Sequence, residues 1–287
     1  MTKFRRVAIV GVGLIGGSLA LAARKRGSFE QIMGIGRSKE NLKKAKELGV
    51  VDDFTTDLLR GVTGADLVVV ATPVAAIVPI ITEILPHLKE GTIITDVGSV
   101  KKEIVEMVDA ISLPHLFFVG GHPIAGTENY GVESAFAHLF RGKKCILTPT
   151  TKTNVSALEK IKDLWETIGS EVILMDLETH DKIMGAVSHL PHLLAFALVN
   201  FLYSLEDVHE NIFAFAAGGL RDFTRIAASH PVMWRDIAML NSSNLLTLLD
   251  TFQESLNYFK NLIGSKSSSL LLAELEKSNF VKRNLMQ

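Results

Sequence analysis

The clearest candidate for chemistry in this sequence is a histidine placed between two glycines and a proline, in Gly120-Gly121-His122-Pro123. The apolar run Leu116-Phe117-Phe118-Val119 just before it predicts a short buried strand. Pro123 disfavours helical backbone at His122, so we expect His122 at the end of that strand, where α/β sheets place their reactive groups. An imidazole presented there is suited to accept a proton, and a histidine that only caps the turn is the alternative.

A glycine-rich turn near the N-terminus indicates a dinucleotide site. The pattern G-x-G-x-x-G begins at Gly11, between a predicted strand at Val7–Val10 and a helical pattern. Gly11 would allow the tight turn, Gly13 the approach of a pyrophosphate to the backbone, and Gly16 close packing of helix against strand. Free N–H groups at the start of the helix would bind phosphate oxygens, although an ordinary glycine-rich turn is the alternative. The cofactor-binding residues expected here are Gly11, Gly13, Leu14, Ile15 and Gly16.

The end of the second predicted strand bears on which dinucleotide binds. NAD-binding folds usually carry an acidic residue there to hold the ribose hydroxyls, but this sequence reads Gly36-Arg37-Ser38. Arg37 and Ser38 offer a charge and a hydroxyl to a 2′-phosphate, which favours NADP slightly over NAD. A solvated Arg37 and a helix-capping Ser38 are the alternative. Thr72 and Pro73 follow a later strand and are expected to contact ribose or nicotinamide, unless Pro73 only begins the next helix.

Two further segments offer polar groups to a substrate. Ser99 follows a predicted strand at Thr92–Asp96 and either caps the next helix or hydrogen-bonds His122 or the substrate. The segment Ser188-His189-Leu190-Pro191-His192 opens a long apolar helix. Its two histidines are three residues apart, and no cysteine or acid nearby completes a metal-ligand set. We therefore expect no metal and favour the polar rim of a substrate pocket, with satisfied core histidines as the alternative.

Two arginines are candidates for binding a carboxylate. Arg221 and Arg225 follow a glycine pair and are four residues apart, so a helix would place both on one face. The planar guanidinium group matches the two oxygens of a carboxylate. A solvated helix face is the alternative.

Size and composition exclude several classes of protein. The 287 residues allow one or two domains, and a net charge of −1 without a lysine- and arginine-rich block argues against nucleic acid as a partner. The lone Cys145 cannot form an internal disulfide, and the N-terminus does not resemble a signal peptide, so we expect a cytoplasmic protein. The longest apolar stretch, Leu193–Leu205, is too short to span a bilayer, which predicts a buried helix and no membrane partner.

Strand-like and helix-like segments alternate through the first half of the chain, which predicts a Rossmann-like, doubly wound parallel sheet of the α/β class. From about residue 178 only helical patterns remain, over 183–205, 237–263 and 270–282, with a linker at 265–269. We therefore predict a dinucleotide-binding domain at 1–176 and an all-α substrate-binding and dimerisation domain at 177–287. Its leucine- and phenylalanine-rich helices would be buried by pairing two copies, which predicts a homodimer.

Considered together, these motifs resemble those of the prephenate and arogenate dehydrogenases, in the same order along the chain. Met233-Trp234-Arg235-Asp236 adds to the resemblance, which covers about residues 5 to 265 and fits the monofunctional form. The segments that carry it are 11–19, 96–101, 120–128, 188–192 and 218–227.

The resemblance implies oxidative decarboxylation of prephenate to 4-hydroxyphenylpyruvate with hydride transfer to NAD or NADP, a step toward tyrosine. It implies that His122 takes the proton of the ring hydroxyl, that Ser99 holds His122 or the hydroxyl in place, and that Arg225 with His192 binds a carboxylate. The remaining residues implied to line the pocket are Thr127, Glu128 and Ser188.

Three other functions remain open at this point. Arogenate differs from prephenate at one side chain, and no residue of the sequence distinguishes them. A β-hydroxyacid dehydrogenase would rely on a lysine in the long helix, but Ile183–Leu205 contains none. A dinucleotide-sensing regulator would need neither His122 nor Arg225.

Overall fold

The computed structural model describes residues 2–111, 115–127, 129–206 and 212–285. The chain forms two compact units, one up to Asn241 and one from Ser242 onward. The first unit contains all strands found in the described residues, together with ten of the α-helices.

A six-stranded parallel sheet forms the centre of the first unit, with the strand order β3-β2-β1-β4-β5-β6. Helices alternate with the strands, as the sequence predicts, and the predicted Rossmann-like α/β fold is confirmed. The strands are β1 Phe4–Val10, β2 Phe29–Ile35, β3 Asp53–Thr55, β4 Leu67–Val70, β5 Ile93–Asp96 and β6 Phe117–Val119. The helices are α1 Leu14–Arg26, α2 Lys39–Glu47, α3 Leu58–Val62, α4 Val74–Ile84 and α5 Lys102–Ala110.

The chain changes sheets at Gly120, directly after β6. A second sheet contains β7 Gly121–Pro123, β8 Lys144–Leu147 and β9 Glu171–Leu174, with β7 antiparallel to β8 and β8 parallel to β9. Helix α6, Val155–Thr167, connects β8 to β9. A Cβ atom at Gly120 would lie 2.7 Å from Thr148 Oγ1 and 2.9 Å from Val105 Cγ2. A side chain at position 120 would therefore displace Thr148 or Val105 where the two sheets meet. His122 lies within β7 of the second sheet, whereas the sequence predicts it at the end of the preceding strand.

Four helices complete the first unit: α7 Leu177–Met184, α8 Leu190–Glu206, α9 Gly218–Thr224 and α10 Pro231–Leu240. One π-helical turn, Gly185–His189, joins α7 to α8, so the helical run is longer than the predicted apolar stretch. The prediction of a buried helix is wrong, because the run Leu177–Leu205 has 29 residues and only 17% of its most apolar window is buried. By length and composition this run could cross a bilayer, yet Asp181 in α7 accepts hydrogen bonds from the start of α5.

The second unit consists of helices α11, Ser242–Gly264, and α12, Ser268–Leu285, joined by a short turn. The sequence pattern predicts one helix over Ile237–Ile263, but the structure divides it at Asn241 between α10 and α11. The Asn241 side chain donates to the backbone carbonyl of Asp181 at 2.8 Å, which ties the end of α10 to α7.

Candidate active site

His122 lies in strand β7, opposite Ile146 of β8, and its side chain is 8% exposed. Its Nδ1 atom lies 2.9 Å from Nε2 of His180 in helix α7. The two rings meet edge to face, with centroids 5.1 Å apart. The second sheet and the first helix of the C-terminal half thus bring together two imidazoles that are 58 residues apart in sequence.

Asp181 extends this contact into a three-residue chain. Its carboxylate accepts a hydrogen bond from His180 Nδ1 at 2.7 Å. The same carboxylate accepts the backbone N–H groups of Lys101 at 2.8 Å and Lys102 at 3.0 Å, at the beginning of helix α5. Asp181 therefore caps α5 and orients His180 at the same time. This corrects the proposed capping role of Ser99, because α5 begins three residues after Ser99 and the carboxylate of Asp181 meets its first N–H groups.

A fully buried ion pair supports the backbone on which His122 lies. The Lys101 ammonium group contacts the Asp96 carboxylate and also donates to the backbone carbonyl of Gly121 at 2.9 Å. Asp96 accepts the backbone N–H groups of Gly98 at 2.8 Å and Gly121 at 3.2 Å. The pair thereby joins the end of β5 to β7 and satisfies the polar groups that the change of sheet leaves inside the protein.

Burial governs the protonation of the histidines here. It lowers the pKa of His122 well below its ordinary value of 6.5, and the nearby His180, Lys101 and His189 lower it further. Burial also lowers the pKa of His180, against the opposing effect of the hydrogen bond to Asp181. Both imidazoles are consequently neutral near pH 7, the form in which His122 can accept a proton.

The segment Ser188–His192 follows helix α7, which carries His180 and Asp181, and it forms the end of the π-helical turn and the start of α8. His192 stacks on the buried Trp234 ring, with centroids 3.6 Å apart and planes 19° apart, and its Nδ1 lies 2.9 Å from the Ser188 carbonyl oxygen. His189 is buried, contacts Asn241 at 3.0 Å, and has a pKa lowered to about 4, chiefly by burial. The predicted rim histidines therefore separate into a buried one, His189, and a partly exposed one, His192.

The predicted carboxylate-binding residues lie in more open surroundings. Arg225 is exposed, and its charge contributes to the lowered pKa of His192, so the two side chains lie near each other. Thr127 is exposed, and its hydroxyl accepts the backbone N–H of Asn129 at 3.3 Å. Ser188 and Ser99 are partly exposed. Glu128, also predicted for the pocket, lies outside the described residues.

The glycine turn has the geometry of a dinucleotide-binding loop. Gly11 has φ +97°, and a Cβ atom there would lie 2.3 Å from the Ala71 carbonyl oxygen. A Cβ atom at Gly16 would meet the Gly11 oxygen at the same distance, whereas one at Gly13 would meet nothing within 4 Å. Gly11 and Gly16 are thus required by backbone packing, and Gly13 leaves the start of α1, with Leu14 and Ile15, open to a phosphate group.

The remaining cofactor candidates surround this loop. Thr72 Oγ1 is buried and has no hydrogen-bond partner in the described part of the chain, so a ribose or amide group of a bound cofactor would satisfy it. Pro73 directly precedes helix α4, in agreement with its helix-starting alternative. Ser38 caps α2 by accepting the Asn41 N–H at 3.1 Å, and Arg37 is exposed. The residues present therefore fit a dinucleotide in this loop.

His180 and Asp181 are the main residues that the sequence analysis missed. Their His-Asp sequence at the start of the helical half was a usable signal, because a carboxylate beside an imidazole often orients it. Lys101 and Asp96 lie within the segment 96–101 that carries the family resemblance, but nothing in their spacing indicates a buried ion pair. Trp234 lies within Met233–Asp236, which adds to the resemblance, but no local pattern indicates that it stacks on His192.

Comparison with known proteins identifies the family. Residues 19–174 match the family "Prephenate dehydrogenase, nucleotide-binding domain", and residues 176–277 match "Prephenate dehydrogenase, dimerization domain". The solved structure of prephenate dehydrogenase from Aquifex aeolicus in complex with hydroxyphenyl propionate and NAD+ is 40% identical with a TM-score of 0.92, covering 99% of this chain and 98% of that one.

Two curated relatives agree with that assignment. The chain is 37% identical to the cyclohexadienyl dehydrogenase of Zymomonas mobilis, over 97% of this chain and 95% of the relative. It is also 37% identical to the prephenate dehydrogenase of Bacillus subtilis, over 92% of this chain and 72% of the relative. With both domain families matched in sequence and the fold matched over nearly its whole length, the chain belongs to the prephenate dehydrogenase family.

Proposed function

We propose that this chain oxidatively decarboxylates prephenate to 4-hydroxyphenylpyruvate, with NAD+ as the hydride acceptor and His122 as the proton acceptor. The observation that carries the proposal is the chain His122–His180–Asp181, which holds a neutral, buried imidazole in fixed orientation. Family membership supplies the reaction class, and the geometry assigns the role within it.

The reaction needs one base and one place for a departing hydride. His122 would accept the proton of the ring hydroxyl as the carbon that bears this hydroxyl gives up hydride. A nicotinamide cofactor held by the glycine turn at Gly11–Gly16 would supply the hydride acceptor. The bond between the ring and its carboxylate then breaks, carbon dioxide leaves, and its electron pair completes the aromatic ring. The former hydroxyl oxygen regains a proton from His122 and becomes the phenol. The protein mainly contributes orientation and a proton acceptor shielded from water.

Arg225 is proposed to bind a substrate carboxylate. Its exposed guanidinium group has the planar shape that suits a charge-assisted, two-point contact with a carboxylate, and it lies near His192. His192 has a lowered pKa and its Nδ1 faces the Ser188 carbonyl, so its neutral ring has only a lone pair at Nε2. We therefore assign the positive charge to Arg225 and to His192 the role of a hydrogen-bond acceptor for a substrate hydroxyl. Ser99, Ser188 and Thr127 are proposed to line the same pocket.

NAD+ is the cofactor we propose, although Gly36-Arg37-Ser38 favoured NADP slightly. The Aquifex relative was solved with NAD+, and nothing in the comparisons supports NADP. In the structure Ser38 caps α2 by accepting the Asn41 N–H, and Arg37 is exposed, so a 2′-phosphate would meet one exposed arginine and a hydroxyl that can still donate. Such an exposed contact contributes little discrimination between the two cofactors.

Pairing of two copies through the C-terminal helices is the proposed assembly. The family description of residues 176–277 as a dimerization domain agrees with the large exposed apolar side chains there, among them Phe201, Tyr203, Met239 and Leu246. Such exposure is typical of an interface between subunits. Light scattering should give twice the mass of one chain, and a monomer at micromolar concentration would contradict this assembly.

The test of the proposed function is an initial-rate assay of nicotinamide reduction with prephenate or arogenate, and with NAD+ or NADP+. We expect the highest efficiency with prephenate and NAD+, with carbon dioxide and 4-hydroxyphenylpyruvate formed in equal amounts. His122→Asn should bind NAD+ normally and lose about a hundredfold or more in turnover, the usual effect of removing a general base. His138→Asn, at an exposed histidine, is the matched control. Near-normal turnover of His122→Asn would overturn the assignment of His122.

A further inference from the structure

We propose that His180 and Asp181 are positioning residues that fix the tautomer of His122, so that its Nδ1 carries the hydrogen and its Nε2 is the nitrogen that accepts the substrate proton. This inference rests on the proposed role of His122 as the proton acceptor. It assigns the reacting atom and names the two residues that select it.

Asp181 anchors the hydrogen-bonded series His122–His180–Asp181. Its carboxylate accepts two backbone N–H groups of α5, from Lys101 and Lys102, at 2.8 and 3.0 Å. These donors cannot turn away, because they are part of the helix start, so the carboxylate stays in one orientation. An acceptor held in this way can meet His180 Nδ1, at 2.7 Å, only if that nitrogen carries a hydrogen.

The tautomer of His180 then determines that of His122. His180 is fully buried, and burial lowers its pKa, so its neutral ring has a single N–H, which the contact with Asp181 places on Nδ1. Nε2 of His180 is consequently a lone-pair acceptor. Nδ1 of His122 lies 2.9 Å from it and must donate, because otherwise two lone pairs would face each other inside the protein.

The free nitrogen of His122 follows from this order of donors and acceptors. With its one hydrogen on Nδ1, neutral His122 has an unprotonated Nε2, and no hydrogen bond within the described part of the chain occupies that atom. After Nε2 accepts a proton, Nδ1 continues to donate to His180, so proton uptake breaks no hydrogen bond. The negative charge of Asp181 lies one imidazole away and opposes the cost of a buried imidazolium, which Lys101 and His189 increase.

Comparing His180→Leu with His180→Gln distinguishes hydrogen-bond acceptance from His122 from a role of His180 in packing alone. His180→Leu removes the acceptor for His122 Nδ1, whereas His180→Gln keeps a side-chain carbonyl that can accept from it. We expect His180→Leu to lower kcat by at least about tenfold with little change in either KM, and His180→Gln to recover most of that loss. Equal losses in the two variants, or a loss confined to KM, would overturn the proposal.

A direct readout is the nitrogen NMR spectrum of enzyme containing ¹⁵N-labelled histidine, bound to NAD+. The His122 signals are identified by their absence in His122→Asn. We expect Nδ1 of His122 to carry the hydrogen in the native enzyme and to lose this preference in His180→Leu. A native His122 protonated at Nε2 would contradict the inference even if the enzyme variants are less active.

A double substitution distinguishes failure of this inference from failure of the proposed function. In a His122→Asn background, His180→Leu should cause no further loss of kcat, because the step on which His180 acts is already lost. An additional loss equal to that of His180→Leu alone would mean that His180 acts independently of His122. If instead His122→Asn is itself fully active, the proposed function fails first. Thermal unfolding and NAD+ affinity of each variant establish that it is folded.

Discussion

The two sides of the candidate site are built differently. On the proposed proton-accepting side, His122, His180 and Asp181 are buried and form a hydrogen-bonded series, and the Lys101–Asp96 pair is buried as well. On the proposed carboxylate-binding side, Arg225 is exposed. The protein thus holds the proposed proton acceptor in one geometry, whereas the proposed charged binding group lies at the surface. Damage to the first side should therefore lower stability or kcat, and damage to the second side should raise KM.

The strongest test of this contrast is removal of the buried ammonium group. Lys101→Met leaves the Asp96 carboxylate buried without its partner, which should destabilise the protein by roughly 3–5 kcal/mol. Denaturant unfolding of the folded fraction measures this change. Lys102→Met is the matched control, because the adjacent lysine pairs with Glu178 at the surface, and its stability should stay close to the native value. Equal effects of the two substitutions would show that the buried pair has no special role.

On the open side, Arg225→Ala should raise the KM for prephenate by roughly ten- to hundredfold, the effect of losing a charge-assisted contact of about 1.5–3 kcal/mol. The KM for NAD+ and the unfolding free energy should change little. Arg26→Ala, at an exposed arginine in the last turn of α1, is the control and should leave the KM for prephenate nearly native. A parallel rise in both KM values for Arg225→Ala would indicate a structural role.

The buried histidines should make stability depend on pH in a defined window. Their folded-state pKa values lie below 6.5, so the unfolded chain binds more protons as the pH falls below 6.5. The unfolding free energy should therefore decrease from pH 6.5 down to about 4, where His189 also becomes protonated in the folded state. His189 alone contributes on the order of 2–3 kcal/mol over that range. A stability that is constant between pH 7 and 5 would contradict this burial.

Arg37→Ala should have the smallest effect. If the exposed arginine only meets a 2′-phosphate weakly, the efficiency with NAD+ should be unchanged and that with NADP+ should fall by a few-fold, the scale of an exposed ion pair. The ratio of the two catalytic efficiencies is the measurement. A native enzyme that prefers NADP+ and loses that preference in Arg37→Ala would restore the interpretation made from the sequence.

Local signals account for what the sequence predicted well. Strands β1, β4 and β6 contain continuous apolar runs, and the glycine turn between β1 and α1 has a pattern set by close backbone packing at Gly11 and Gly16. Both features are determined by residues only a few positions apart in the sequence. Local patterns such as apolar runs and glycine spacing therefore predict them. The same reasoning drew attention to His122, because Pro123 disfavours a helical backbone at His122 and the two glycines before it allow a sharp turn.

Long-range contacts account for what the sequence did not reveal. His180 meets His122 across 58 residues, and Asp181 meets the start of α5 across 80. The change of sheet at Gly120 depends on the side chains of Thr148 and Val105, which no local pattern connects to it. The exposed surface of α8 was mistaken for a buried one because an apolar helix has the same composition in a core as at a subunit interface.

The pH dependence of kcat/KM for prephenate tests the central claim most directly, that His122 is a buried, neutral proton acceptor. Activity should be lost as the pH falls through the pKa of His122, which burial and the neighbouring positive charges place well below 6.5. The account predicts a full rate at pH 6.5, a decline only at lower pH, and no such decline in the residual activity of His122→Asn. A decline centred at or above pH 6.5, or the same decline in His122→Asn, would contradict it.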